Sequence, residues 1–480
     1  MAARPHLVFF PFPAQGHVTP AFQLATLLHR RDSFDITFVH TEHNRRRLLR
    51  ARGPAALAGA PGFRFVFVPD GLPPSDEDAA QDMAALHSSL PSTAPRHLRN
   101  LLLQSDPAIA TVVISDMDHV LRAAAEMGLP CVTFWITSAS SFMAFQQCEL
   151  LVAKGLVPLR DAEQLRNGYL DNTVIDWVPG LPKAMRLRDF PTFIRTTDPD
   201  DAVLALTLRS MECLRTVSSA IIFHTLEELE SPVLSAMSSL LPPVCAVGPL
   251  TPLLHRQEEE DEDDTLLPGS SNLSMEDRAC LDWLDGKPPK SVVFVSFGSL
   301  VTPTQDRLEE VSWGIANSGY HFLWVIRNDQ QALPAGFLVE TAARGRVTSW
   351  CPQEVVLRHD AVGAFLTHCG WNSMLESLCA GVPMLCWPMA ADQQTNARLA
   401  CTVWRVGVEV SEGTAREEVE AAVCRVMGEE EPRRFAMEWK EKVARATGPG
   451  GSSWAGMERS AGFVAGFFNP VMNSPSLYGP

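Results

Sequence analysis

Among its 11 cysteines the sequence has no CxxC pair and no Cys/His grouping with zinc-finger spacing. Neither a disulfide framework nor a structural metal site is suggested, and reduced thiols in the cytosol fit best. Positive charge is also scarce: 40 Lys and Arg against 56 Asp and Glu give a formal net charge of −16, and seven of the acids form one run, Glu258 to Asp264. Nucleic acid and anionic membrane are poor partners for such a chain. No GxGxxG follows the first strand, so the dinucleotide fingerprint is missing, and no GxSxG marks a hydrolase nucleophile elbow. The first apolar run is broken by Pro11, Pro13 and Gly16, unlike a signal-peptide core. The uncharged stretch Gly128 to Gln146 contains Pro130 and the cluster Thr137-Ser138-Ala139-Ser140, so it reads as strand, loop and helix and no membrane span is expected. Asn272-Leu273-Ser274 is a sequon, taken here as chance.

What is present is a long chain with 46% hydrophobic residues, enough for two cores. His6 to Phe10 reads as a strand, and Thr19-Pro20 reads as the N-cap and first residue of a helix running to Arg30. Ile36 to His40, Thr111 to Ile114 and Val132 to Trp135 read as further strands, with a helix over Val120 to Met127. Cys148 to Leu240 reads as mostly helical around an irregular Trp177 to Asp201. A second series begins with Val292 to Ser296, then Phe322 to Ile326 and Arg346 to Ser349. Apolar strands alternating with helices predict an α/β fold of doubly wound parallel sheets, whose ligands gather at strand carboxyl ends. His17 and Asp116 lie just past two such ends. A histidine there can take a proton from an alcohol while a carboxylate orients its ring.

The most informative stretch is WCPQEVVLRHDAVGAFLTHCGWNSMLESLCAGVPMLCWPMAADQ, Trp350 to Gln393. Ala364 to Leu366 reads as a buried strand that leads through Thr367, His368, Cys369 and Gly370 into a helix starting near Asn372 or Ser373. Ser373 and Glu376 have capping-box spacing, Gly381 is placed to end the helix, and Pro383 forbids its continuation. Free N–H groups and the positive end of a helix dipole at that junction suit a phosphate or diphosphate. Trp350 offers a flat aromatic platform, and Asp392 with Gln393 a polar pair. A base, a diphosphate and a sugar would each find a partner.

Over its whole length this stretch resembles the donor-binding signature of the plant family-1 UDP-dependent glycosyltransferases. The resemblance implies that Trp350 stacks on uracil, that Gln353 helps hold base and ribose, and that Glu376 takes the ribose hydroxyls. It assigns His368, Asn372 and Ser373 to the diphosphate, with Ser299 near the β-phosphate. Trp371, Asp392 and Gln393 would take the sugar hydroxyls, Gln393 being the residue of glucose users. PFPAQGHVTP resembles the family's N-terminal loop, which makes His17 the catalytic base, and ISD resembles the strand end that makes Asp116 its partner. WVPGLPKAMRLRDFPTFIRTTDPDD is similar to a segment of the subgroup that glucosylates cyanohydrins, terpenoids and other small alcohols. One departure stands out: many family members have Thr where this chain has Ile136, so either Thr137 or Ser138 supplies that sugar contact through a shifted loop, or the sugar is held with one hydrogen bond fewer.

Taken singly, each residue has a plainer reading. Glu376 could close a capping box, Trp350 and Trp371 could be core, His17 and His368 loop histidines, Asp116 a helix cap and Ser299 a turn serine. Taken together they imply two facing Rossmann-like domains of the GT-B type. Residues 1–252 would bind the acceptor, 253–276 would be an acidic linker, 277–453 would bind the UDP-sugar, and a helix at about 454–468 would cross back onto the first domain. The implied activity is inverting transfer of glucose from UDP-glucose to a small lipophilic alcohol by a cytoplasmic monomer without metal or cofactor. The rival is a non-catalytic nucleotide-sugar binding protein, which would need neither His17 nor Asp116.

Overall fold

The structure is a computed structural model that describes residues 4–32, 34–74, 81–104, 111–260, 273–299, 302–326, 333–410, 413 and 415–468. Residues 261–272, which hold most of the acidic run and Asn272 of the sequon, lie outside these. The strands in chain order begin with β1 (His6–Phe9), β2 (Asp35–Thr41), β3 (Phe63–Val68), β4 (Thr111–Ser115) and β5 (Cys131–Trp135). A short antiparallel ribbon, β6 (Val174–Ile175) with β7 (Met185–Arg186), comes next, followed by β8 (Ala220–Phe223) and β9 (Val244–Ala246). The rest are β10 (Val292–Ser296), β11 (His321–Val325), β12 (Gly345–Thr348), β13 (Val362–Thr367), β14 (Met384–Cys386) and β15 (Gly407–Glu409).

Two parallel sheets result, ordered β3-β2-β1-β4-β5-β8-β9 and β12-β11-β10-β13-β14-β15. Their central strands are wholly buried and mostly apolar, as strands covered by helices on both faces must be. The expected doubly wound α/β architecture is therefore present twice. Strand order reverses between β1 and β4 in the first sheet and between β10 and β13 in the second. Those are the switch points where such sheets open a crevice for ligands.

The chain divides into two compact units, one of 1–139, 205–274 and 446–480, the other of 140–204 and 275–445. The stretch 140–204, read above as part of the acceptor domain, packs with the second unit because its turns hydrogen-bond to that unit's helices, as Thr395 Oγ1 does to the Asp189 carbonyl. The stretch read as a linker from residue 253 begins instead as a helix, Leu250–Glu260. Leu253 and Leu254 are apolar enough to bury in the first core, which holds the helix there. In the first unit the helix Ser452–Gly466 lies against β9, with Met457, Ala461 and Val464 in the core and Ser453 Oγ donating to the Gly248 carbonyl at 2.5 Å. A Cβ on Gly456 would stand 1.9 Å from the Ala246 carbonyl oxygen, so only glycine permits this approach. The strand β8 was hidden inside a region read as helical, since four apolar residues carry no periodicity to distinguish the two.

Candidate active site

At the first switch point, β1 and β4 lie side by side, with Phe9 opposite Ile114. The chain leaving β1 does not wait for Thr19-Pro20 to start its helix: the helix is Gln15–Asp32, with the His17 and Val18 N–H groups both donating to the Ala14 carbonyl at 2.9 Å. His17 thus sits in the first helical turn. Its Nδ1 donates to Asp116 Oδ2 at 2.5 Å, and Asp116 Oδ1 accepts the Phe12 N–H at 2.8 Å. Ser115 Oγ donates to the Phe10 carbonyl at 2.6 Å and ties the two strand ends together. Since the carboxylate must accept, the proton is on Nδ1 and Nε2 is left with its lone pair. The Asp116 side chain is 7% exposed and that of His17 28%, so a buried acid orients a base that solvent and ligands can reach. The Phe12 ring packs on His17 and stacks on His87, whose pKa burial holds below the ordinary histidine value.

Beyond β5, Ile136 is part of the first core and Ser138 is completely buried, whereas Thr137 is half-buried. Of the two hydroxyls that follow Ile136, Thr137 is the one with access to solvent.

At the second switch point, the ends of β10 and β13 close around one imidazole. A Cβ on Gly298 would stand 2.6 Å from His368 Cε1, and one on Gly370 would stand 2.3 Å from His368 Nε2. Gly298 also has φ +71°. Two glycines therefore admit the ring, and Ser299 follows directly. The helix here is Trp371–Ala380, two residues earlier than Ser373 would imply, and its N-cap Gly370 brings no side chain to the N-terminus. That is the arrangement an anion completes. Asn372 lies in the first turn. Gly381 ends the helix in the left-handed region (φ 73°) as expected.

Ser373 and Glu376 do not form a capping box. Both side chains accept from Gln353 Nε2, at 2.9 and 2.8 Å. Burial pushes the Glu376 carboxyl up to about 7, opposed by that amide donor. A half-buried Trp350 precedes them, its carbonyl accepting the Asp277 N–H at 2.9 Å while Asp277 Oδ2 accepts from Thr348 Oγ1 at 2.9 Å. Trp371 is 3% exposed and packs on Trp404, so its ring is core, as the plainer reading had it.

Asp392 and Gln393 open the helix Gln393–Thr402. Gln393 Oε1 accepts two backbone N–H groups, those of Met389 at 2.8 Å and Ala390 at 2.9 Å. This fixes the amide's orientation and turns its NH₂ into the part a sugar oxygen can use. Asp392 Oδ2 accepts from Asn396 Nδ2 at 2.7 Å, and the same amide donates to the Cys369 carbonyl at 3.1 Å. Asn396 was not among the expected residues. Its spacing of four from Asp392 on one helix face was the available signal.

Residues 279–441 match the family model described as UDP-glucoronosyl and UDP-glucosyl transferase. The chain is 47% identical over 471 residues to 7-deoxyloganetin glucosyltransferase of Gardenia jasminoides, covering 95% of this chain and 96% of the relative. It is 46% identical over 469 residues to (R)-mandelonitrile beta-glucosyltransferase of Prunus dulcis, with the same coverage. The chain belongs to the plant family-1 UDP-dependent glycosyltransferases. The crystal structure of UGT71G1 from Medicago truncatula complexed with UDP-glucose superposes with a TM-score of 0.79 at 26% identity, over 96% of this chain and 99% of that one. This glycosyltransferase accordingly has the GT-B fold.

Within the glycosyltransferase, the tight seating of His368 makes a direct prediction. Gly298→Ala adds a methyl where the imidazole stands and imposes a positive φ on alanine, so His368 must move. On the expectation that His368 holds the diphosphate, UDP affinity measured by calorimetry should fall about tenfold, the equivalent of one charge-assisted hydrogen bond. Unchanged affinity would show that His368 does not depend on the glycine. Among the described residues no helix is long and apolar enough to cross a membrane, and no group of three or more His, Cys, Asp or Glu could hold a metal ion.

Proposed function

We propose that this enzyme transfers glucose from UDP-glucose to a hydroxyl of a small lipophilic alcohol, with inversion at the anomeric carbon. The observation that carries the proposal is the His17–Asp116 pair at the β1/β4 switch point, a base with an oriented lone pair. Relatives named for 7-deoxyloganetin and (R)-mandelonitrile, both alcohols on compact carbon skeletons, support the acceptor class. The UDP-glucose complex of a structural relative supports the donor.

In this mechanism the acceptor O–H gives its proton to His17 Nε2 as the oxygen attacks the anomeric carbon, and UDP departs from the opposite face. Asp116 stabilises the imidazolium that forms. Negative charge growing on UDP meets His368 and the N-terminus of the helix Trp371–Ala380, with Asn372, Ser373 and Ser299 beside it. Trp350 stacks on uracil, Gln353 orients Glu376, and Glu376 accepts from the ribose diol. Asp392 accepts from sugar hydroxyls and Gln393 donates to one. The buried ring of Trp371 leaves its backbone as the group that can face the sugar. Eleven free thiols support action in a reducing compartment, the cytosol.

Purified protein with UDP-glucose should release UDP only when an alcohol is added, tested on a panel of phenols, terpene alcohols and cyanohydrins. Release without acceptor would indicate a hydrolase, and no release with any alcohol a nucleotide-sugar sensor. Gln393 gives a finer test. Histidine cannot both accept the Met389 and Ala390 N–H groups and present a donor in the same place. Gln393→His is expected to cut kcat/KM for UDP-glucose by about tenfold while UDP affinity changes by less than about twofold. Competition between UDP-glucose and UDP-galactose reads it, and an unchanged preference would remove Gln393 from sugar recognition.

A further inference from the structure

The segment RLRDFPTFIR is remote in sequence from the donor signature and adjacent to it in the second unit. Thr192 opens a short 3₁₀ turn, Thr192–Ile194. Its N–H donates to the Ala391 carbonyl at 3.1 Å, and its Oγ1 accepts the Ala391 N–H at 2.8 Å across 199 residues of chain. Both backbone polar groups of Ala391 are therefore engaged by one threonine. Ala391 has φ 55°, a left-handed conformation that a residue with a Cβ disfavours. A second tie lies one turn on, where Thr395 Oγ1 donates to the carbonyl of buried Asp189 at 2.7 Å. Asp189 is itself held by Arg186 at 2.8 Å and Arg398 at 3.5 Å.

Four backbone N–H groups of the turn Met389–Gln393 have assigned partners. The N–H groups of Met389 and Ala390 go to Gln393 Oε1, that of Ala391 to Thr192, and that of Gln393 to the Ala390 carbonyl. The position of Gln393 thus depends on a turn whose one strained residue is fixed from outside.

We infer that Thr192 is a positioning residue for donor-sugar recognition: it holds Ala391 left-handed and so places Asp392 and Gln393 against the sugar. The inference rests on the reading of those two residues as the sugar-binding pair. Trp350, Gln353, Glu376 and His368 are anchored by other contacts, so the UDP part of the donor does not depend on Thr192. Loss of its hydroxyl should blur the choice of hexose and spare the nucleotide.

Thr192→Val removes the acceptor with little change of shape, and Thr192→Ala does so without a new methyl. In both, the kcat/KM preference for UDP-glucose over UDP-galactose is expected to fall roughly fivefold, about the worth of one hydrogen bond, with UDP affinity by calorimetry within about twofold. Thr192→Ser should keep the preference. Glycine adopts the left-handed region freely, so Ala391→Gly added to Thr192→Val should restore much of it. A merely structural role would lower activity toward both donors equally, and that result, or an unchanged preference, overturns the inference. Gln393→His run in parallel separates the two ideas. If it leaves the preference unchanged, the sugar-binding pair is misassigned; if it shifts the preference and neither Thr192 variant does, the positioning role alone fails.

Discussion

His17→Ala is expected to lower turnover with UDP-glucose and any accepted alcohol by about 10²- to 10⁴-fold, the range for a lost general base. UDP affinity, measured by calorimetry on the same preparation, should change by less than about twofold, because the uracil, ribose and diphosphate partners named above all come from other elements. Asp116→Asn tests the acid that orients the base. Asp116 accepts the Phe12 N–H and His17 Nδ1–H on separate oxygens, whereas asparagine has one. With its oxygen kept on Phe12, its NH₂ faces His17, Nδ1 must become the acceptor, and Nε2 takes the proton and loses its lone pair, while the imidazolium also loses its counter-charge. Its turnover is expected to fall into the same range as that of His17→Ala, with UDP binding again intact. Retained turnover within about tenfold in His17→Ala would remove the general base from the mechanism.

How far the sequence led depended on the range of the interaction. Gly381 ends its helix at φ 73° because the C-terminal signal is local: a glycine after the last apolar residue, then Pro383. The placement of His17 and Asp116 at strand ends was equally legible, since strand and loop alternate within a few residues. Helix starts were less so. Thr19-Pro20 has the composition of an N-terminus, yet the helix begins at Gln15, where the Ala14 carbonyl accepts two N–H groups and Gln15 Nε2 donates to Thr19 Oγ1 at 2.6 Å. Ser373 likewise looked like a cap and instead accepts from Gln353, a partner 20 residues away. The allegiance of 140–204 to the second unit was not legible at all. It rests on contacts such as Thr192 to Ala391, which local propensity does not encode. Resemblance singled out the residues proposed to touch substrate, while the hydrogen bonds that Asn396 makes to Asp392 and Thr192 makes to Ala391 were found in the fold.

On the proposed ribose contact, Glu376 is expected to set the pH dependence of donor binding. Its carboxyl is pushed up to about 7 by burial, so near neutrality the free enzyme holds it partly protonated. A ribose diol donates two O–H groups and binds the ionised carboxylate best, so binding must expel the proton. The sign follows: donor affinity is full above the free-enzyme value and weakens as pH falls through it, approaching tenfold per unit, or about thirtyfold between pH 8 and pH 5.5. The measurement should use UDP-glucose, because free UDP has a terminal phosphate that itself titrates near ~6. Protonation of His368 would act in the opposite direction, strengthening diphosphate binding at low pH, so a loss of affinity on acidification points to Glu376. Glu376→Gln keeps the shape and abolishes the charge. It is expected to weaken UDP-glucose binding at pH 8 by about 1.5–3 kcal/mol, the worth of hydrogen bonds to a charged group, which is roughly 10- to 150-fold. Its affinity should no longer weaken as pH falls. A wild-type affinity that is flat or rises on acidification, or a Glu376→Gln enzyme that keeps the wild-type slope, would take the ribose contact away from Glu376.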